Sequence, residues 1–381
     1  MDRMSFIGQQ IYDLRTDRVP RLTQRELAER AGVSVDLIQK LEQGRKATAK
    51  ITTLTAIARA LDVDLSALLS RRTFLEGVPD DGGLLALRRA ITPVLDPAAP
   101  GGSVEELSTA VADGWRAYWS GDYKTLAGTL PQVIEGARAA DARDQLAEAQ
   151  QLASCVLVHL GHSDLSLIAV GKALEVVEDP LLRTAIVGTH SWVLLNQGRS
   201  DEASVLAVAE ADAIEPRRKA RAEEVSLWGN LLVTGATAAA RDGRSDEARD
   251  LLRAAHGAAV RIGEDRNDYQ TAFGVSQVVM QGVDVSVVAG DYVKALDTAR
   301  RMPKRSQLPR AAQARHMTDV AHAHAKLGHF REAENLLTRI EQFAPQWIRY
   351  QVFVKAVLAE VLQRGRPTSK TRTLARRLGV G

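Results

Sequence analysis

The chain has 381 residues, too many for one typical domain, and its 45% hydrophobic and 25% charged residues are the balance of an ordinary folded protein. Its formal charge of +3 is too small to indicate nucleic acid unless the basic residues cluster, and its single cysteine excludes an intrachain disulfide. Only 4% of the chain is aromatic while Ala, Leu and Arg abound, which favours helices, because these side chains lose little freedom on entering one. The first five residues, Met1 to Ser5, lack the basic-then-apolar layout of a signal peptide. The apolar run 152–160 around Cys155 is too short to span a bilayer. A cytoplasmic protein with no membrane partner is expected.

Taken in chain order, the pattern predicts an all-α protein. A first helix over Ile7–Leu14 opens a compact bundle. Thr23-Gln-Arg-Glu26 fits a capping box, with Thr23 as N-cap and Glu26 reaching back. The helix that follows puts Leu27, Ala28 and Ala31 on one face, and Gly32 ends it. Ser34 caps a second helix whose Leu37, Ile38 and Leu41 face inward, and Gly44 ends that one. Ala28 must be small, because the second helix crosses close above it. This is helix-turn-helix geometry. A further helix aligns Leu54, Ile57, Ala58 and Leu61, and Asp64 caps a last short one through Leu69, completing five. Arg45, Lys46 and Lys50 cluster beyond the second helix of the motif.

Residues 70–103 change character. Gly77, Pro79, Gly82, Gly83, Pro93, Pro97, Pro100, Gly101 and Gly102 mark a connector, interrupted by a short helix over Leu84–Ile91. From about residue 104 one phrase recurs: a helix, a polar turn centred on Gly, then a second helix opening near Ala. Its turn glycines are Gly121, Gly161, Gly198, Gly243, Gly290 and Gly328, spaced 40, 37, 45, 47 and 38 residues apart. That period indicates a solenoid of helical hairpins. Gly suits the turn because it adopts positive φ where the first helix ends. The division expected is 1–72 as a helix-turn-helix domain, 73–103 as linker and 104–381 as a helical-repeat domain.

The first 70 residues resemble the XRE family, the lambda-repressor and Cro-like DNA-binding domains. The residues that carry the likeness are Thr23-Gln24-x-Glu26-Leu27-Ala28-x-x-Ala31-Gly32-Val33-Ser34, then Ile38-x-x-Leu41-Glu42-x-Gly44, then Leu54-x-x-Ile57-Ala58-x-Ala60-Leu61-x-Val63. The resemblance implies that the second helix of the motif enters the major groove with its first side chains on base edges. The matching positions are Ser34, Val35, Asp36, Gln39 and Lys40. Gln24 stands where the family contacts the backbone or supports recognition. Arg45, Lys46 and Lys50 are placed to meet phosphate. Val35 suits a thymine methyl; Asp36 either accepts from a cytosine amino group or pairs with Lys40 one turn on.

The second part resembles tetratricopeptide repeats. Its best copy runs Met317-x-x-Val320-Ala321-x-x-His324, then Gly328-x-Phe330-x-x-Ala333-x-x-x-Leu337-x-x-Ile340, then Pro345. An XRE domain followed by such an array is similar to the RRNPP group of peptide-sensing regulators and to XRE regulators of actinobacteria with a long repeat half. This implies a homodimer on double-stranded DNA, with a peptide or small-molecule effector in a concave groove. Aligned by turn glycine, the groove face carries Trp115, Trp119, Trp192, Asn196, Asn230, Gln277, Gln281, Asp284, Arg315, Asp319 and His322. The rival reading is a DNA-bound scaffold whose repeats recruit a protein partner without a small ligand.

No enzyme is expected, since no dinucleotide, phosphate-loop or nucleophile-elbow motif occurs. No cofactor or metal is expected either. His322 and His324 are two apart on a helix, so their rings diverge, and no His-Glu-x-x-His or cysteine pair exists. The basic run Arg364–Arg377 reads as a frayed terminus, a helix capping the last repeat, or an auxiliary phosphate contact.

Overall fold

The computed structural model describes residues 6–16, 21–46, 49–61, 63, 68, 83–94 and 101–380. Apart from the buried Leu68, the helix expected from Asp64 to Leu69 lies outside them, as does most of the connector. The described residues form nineteen α-helices, two short 3-10 turns and no strand.

The headpiece is built from α1 (Phe6–Thr16), α2 (Gln24–Ala31), α3 (Val35–Glu42) and α4 (Ile51–Ala60). The capping box at α2 forms in both directions: Thr23 N donates to Glu26 Oε2 at 2.7 Å, and Glu26 N donates to Thr23 Oγ1 at 3.1 Å. Gly32 takes φ 63°, turning the chain into Ser34, whose hydroxyl accepts from Leu37 N at 3.2 Å. Ile11, Leu27, Ala28, Ile38, Leu41, Leu54 and Ile57 close one small core. The α2–turn–α3 angle is thus set by a left-handed glycine and two local caps, and the core fixes it in place.

The short helix α5 (Leu84–Ile91) is not free linker. It buries Leu87, Ala90 and Ile91 in the same core as the hairpins, and Arg138 donates to Ala90 O at 2.7 Å. Helix α5 thus packs on the hairpins, because its apolar stripe is covered by the helices that follow.

Six hairpins follow. They are α6 (Val104–Ser120) with α7 (Tyr123–Ala139), α8 (Arg143–His159) with α9 (Ser163–Val176), and α10 (Pro180–Asn196) with α11 (Ser200–Ala213). After these come α12 (Ala222–Arg241) with α13 (Ser245–Ile262), α14 (Val275–Ala289) with α15 (Tyr292–Ala299), and α16 (Arg310–Lys326) with α17 (Phe330–Phe343). All six turn glycines have positive φ, between 78° and 87°. In four of the second helices the small residue after the turn, Ala203, Ala248, Ala295 or Ala333, is fully buried, which lets the paired helices approach closely.

A last pair, α18 (Val352–Arg364) and α19 (Ser369–Arg377), ends the array. The basic tail thus forms a terminal helix, burying Thr371, Leu374 and Ala375 and held by Glu334, which accepts from Thr368 N and the Thr371 hydroxyl. By length and composition Asp268–Ala289 could cross a membrane, but 72% of its apolar window is buried in the array, as in a core helix.

The array curls until its ends meet. The largest core joins Tyr118, Tyr123 and Cys155 of the first hairpins to Trp347, Ile348 and Val354 near the end. Tyr123 and Tyr350 lie 5.4 Å apart edge to face. A methyl at Gly121 would fall 2.5 Å from Trp347 Cβ, so glycine is needed there for space as well as for φ. The first helices of successive hairpins pack side by side along the inner, groove face of the curl.

Candidate functional site

Two sites emerge, the outer face of α3 and the interior groove. On the first, Ser34, Asp36, Gln39 and Lys40 are exposed in a row, and Val35 is half-buried against the headpiece core. Asp36 and Lys40 form an ion pair at 2.7 Å across one helical turn. In the free protein, then, the carboxylate is already engaged. Arg45, Lys46 and Lys50 are exposed on the segment leading to α4.

Gln24 has an internal partner, its amide donating to Glu42 Oε2 at 2.7 Å. Glu42 also takes two bonds from Arg15, at 2.8 and 2.9 Å, and Arg15 reaches Leu22 O at 2.8 Å. The bond to Glu42 raises the guanidinium pKa above its ordinary value, against a smaller opposing effect of burial. This buried network ties α1, the start of α2 and the end of α3 together, so it sets the pose of the recognition helix. The only trace of it in the sequence is a charged residue, Glu42, on an inward-facing position.

In the groove, the expected residues divide by depth. Trp115 is 3% exposed and belongs to the core, because its register on α6 is that of Val111 and Tyr118. Trp119 and Trp192 are half-buried; His159 lies 5.8 Å from Trp192 and stacks on Tyr123 at 4.3 Å. Burial, with Arg315 adding repulsion, pushes His159 down to about 3, so its ring is neutral. Asn196 donates to Trp192 O in its own helix at 2.8 Å, and Asn230 stands half-buried beside Gly188. Gln281 accepts from Thr237 at 3.3 Å, and the buried Gln277 Oε1 has no partner among the described residues.

The structure brings Asp284, Arg315 and Asp319 together, and adds Arg241. Arg241 makes two bonds of 3.1 Å to Asp284, and Arg315 reaches Asp284 at 2.7 Å and Asp319 at 3.2 Å. Burial acts to raise both carboxyls. The two arginines overcome it at Asp284, which is held below its ordinary value; at Asp319 burial wins. Arg315 still exposes 38% of its side chain and lies 5.8 Å from the Phe353 ring. It is a fixed cation facing the groove. His322 packs between Tyr292 and Phe353 and lies 4.0 Å from Glu360, which Lys326 meets at 2.8 Å.

One further element enters the groove. The loop between α13 and α14 pinches at its base, where Arg266 N donates to Phe273 O at 2.8 Å, and sends its tip across to the first and third hairpins. Trp119 Nε1 donates to Gln270 Oε1 at 2.9 Å, and the Tyr269 hydroxyl donates to Asp179 at 3.4 Å. Tyr269, Gln270 and Ala272 have φ of 47°, 63° and 52°, a left-handed conformation costly for residues with a Cβ. Nothing local in the sequence signals this loop, since its partners lie 90 and 151 residues away.

Against known proteins, residues 17–68 match the helix-turn-helix family. No curated protein matches the chain. The match covers the capped α2–turn–α3 unit and the basic segment after it, so the headpiece is an XRE-type helix-turn-helix domain that binds double-stranded DNA.

Proposed function

We propose that this DNA-binding transcription regulator is sequence-specific, acts as a cytoplasmic homodimer, and reads a peptide or small-molecule effector with its helical array. Base reading falls to Ser34, Val35, Gln39 and Lys40, with Asp36 available once Lys40 turns to DNA, and phosphate contact to Arg45, Lys46 and Lys50. Gln24 acts through Glu42, positioning α3. A dimer follows from the short reach of one recognition helix, which covers too few base pairs alone. Apolar side chains on the outer helices, Ile168, Val205, Val260 and Val293, are 45–69% exposed and offer it a contact face.

The observation that carries the sensing role is the set of polar side chains on the inner helices: Arg315, Asn230 and Gln281 are half-buried there, and the buried Gln277 carbonyl has no partner among the described residues. Such a lining suits a ligand with amide groups and a carboxylate. The test is mass spectrometry of small molecules and peptides that co-purify with the chain from its native host. A bound species lost from Asn230→Ala and Trp192→Ala supports the reading. A species retained equally by both variants moves the effector elsewhere.

A further inference from the structure

The headpiece rests on the array through contacts that include Lys50, one of the residues assigned to phosphate. Arg59 of α4 donates to Gly198 O at 2.6 Å and to Asp201 at 3.0 Å, with Asp242 at 4.0 Å. A Cβ built on Gly290 would lie 2.7 Å from the Lys50 ammonium, so that amine sits directly against the α14–α15 turn. From α18, Gln363 donates to Gly44 O at 3.3 Å, and Val352 packs against the headpiece core.

The docking surface has the electrostatics of a phosphate track. Gly198 and Gly290 lie at the carboxyl ends of α10 and α14, where the helix dipole concentrates negative potential. Asp201 and Asp242 add full charges beside the first of them. Of the cations they meet, Lys50 belongs to the segment assigned to phosphate, and Arg59 lies in the last turn of α4. The α14–α15 turn covers one side of the Lys50 ammonium, a place a phosphate would take.

We infer that this rim is an autoinhibitory latch: the turns of three consecutive hairpins hold the headpiece cations that duplex DNA would otherwise engage, so docking and DNA binding compete. The inference rests on the DNA-binding reading above. It also supplies the route from groove to DNA. The inner helices α10, α12 and α14 carry Trp192, Asn230 and Asp284, and each ends at a latch turn: Gly198, Asp242 and Gly290. An occupant that shifts one of these helices moves a latch contact and changes the balance between docked and released headpiece.

The test uses the full chain and a random-sequence duplex, because the latch acts on phosphate contact and not on base reading. Asp201→Asn with Asp242→Asn removes both rim charges without touching the headpiece. A charge control, Glu175→Gln with Asp250→Asn, removes the same net charge from α9 and α13. The latch variant is expected to bind about three- to tenfold more tightly than the control, the scale of two exposed ion pairs. Equal affinities for the two variants, or a weaker latch variant, would overturn the latch while leaving DNA binding intact. A parent chain that binds no duplex even at low salt defeats the DNA-binding reading itself, and the latch with it.

Discussion

Glu42 shows how far a single position reaches. It is 3% exposed, accepts two bonds from Arg15 and one from Gln24, and stands at the end of the recognition helix. Removing one partner of a buried ion pair leaves the other charge uncompensated, which costs about 3–5 kcal/mol. Glu42→Ala should therefore give an early headpiece transition in denaturant, followed by circular dichroism, with the array melting as in the parent. A single unshifted transition would show that the network contributes little. Lys46 makes no such internal contact with its side chain among the described residues and is exposed. Lys46→Ala should weaken binding to all duplexes alike and lower the salt slope by about one. A change confined to certain sequences would make Lys46 a base reader instead. The caps at Thr23 and Ser34 were legible in the sequence because a cap is decided within four residues. The Arg15–Glu42 pair spans 27 residues, so only the fold brings it together.

Among the elements, the hairpin turns allow a controlled comparison. Gly243 and Gly121 have nearly the same φ, 83° and 87°, but a Cβ on Gly243 meets nothing within 4 Å among the described residues while one on Gly121 meets Trp347 at 2.5 Å. Gly243→Ala should cost about 1–2 kcal/mol, the price of left-handed backbone alone. Gly121→Ala should cost clearly more, because backbone of the 3-10 turn Trp347–Tyr350 must also move. Equal losses in thermal unfolding would mean that the two ends of the array do not bear on each other as described. The hairpins themselves were readable, since each turn repeats the same glycine and small-residue pattern. The groove was readable only in part. Helix register placed Trp192, Asn230, Gln281 and Arg315 on the inner face, but assigned Trp115 there too, although α6 turns it into the core. Arg241 and His159 stand two residues before their turn glycines, in the register of Trp119 and Asn196, so the same alignment could have found them; the Tyr269–Gln270 tip carries no such signal and meets its partners only because the array curls.

For the molecule as a whole, closure has a cost in acid. Burial pushes His159 down to about 3, and His316 and His322 to about 4, from an ordinary 6.5. At His322 the repulsion of Lys326 adds to burial and Glu360 opposes it. Below pH 6.5 the unfolded chain takes up protons that the folded chain refuses. The stability these groups contribute is thus full above 6.5 and drains as pH falls towards 4, and for His159 towards 3. His159, with the deepest shift of the three, contributes the largest share of that loss. His159→Gln should flatten the fall of Tm between pH 6.5 and 4; an unchanged slope would place His159 in water rather than in the closed interior. The measurement that bears most directly on the function is selection of binding sites from a random duplex pool by the full chain. The account predicts an enriched palindrome with half-sites about one helical turn apart, each read by one α3 of a dimer. A pool that returns no enriched sequence would contradict it.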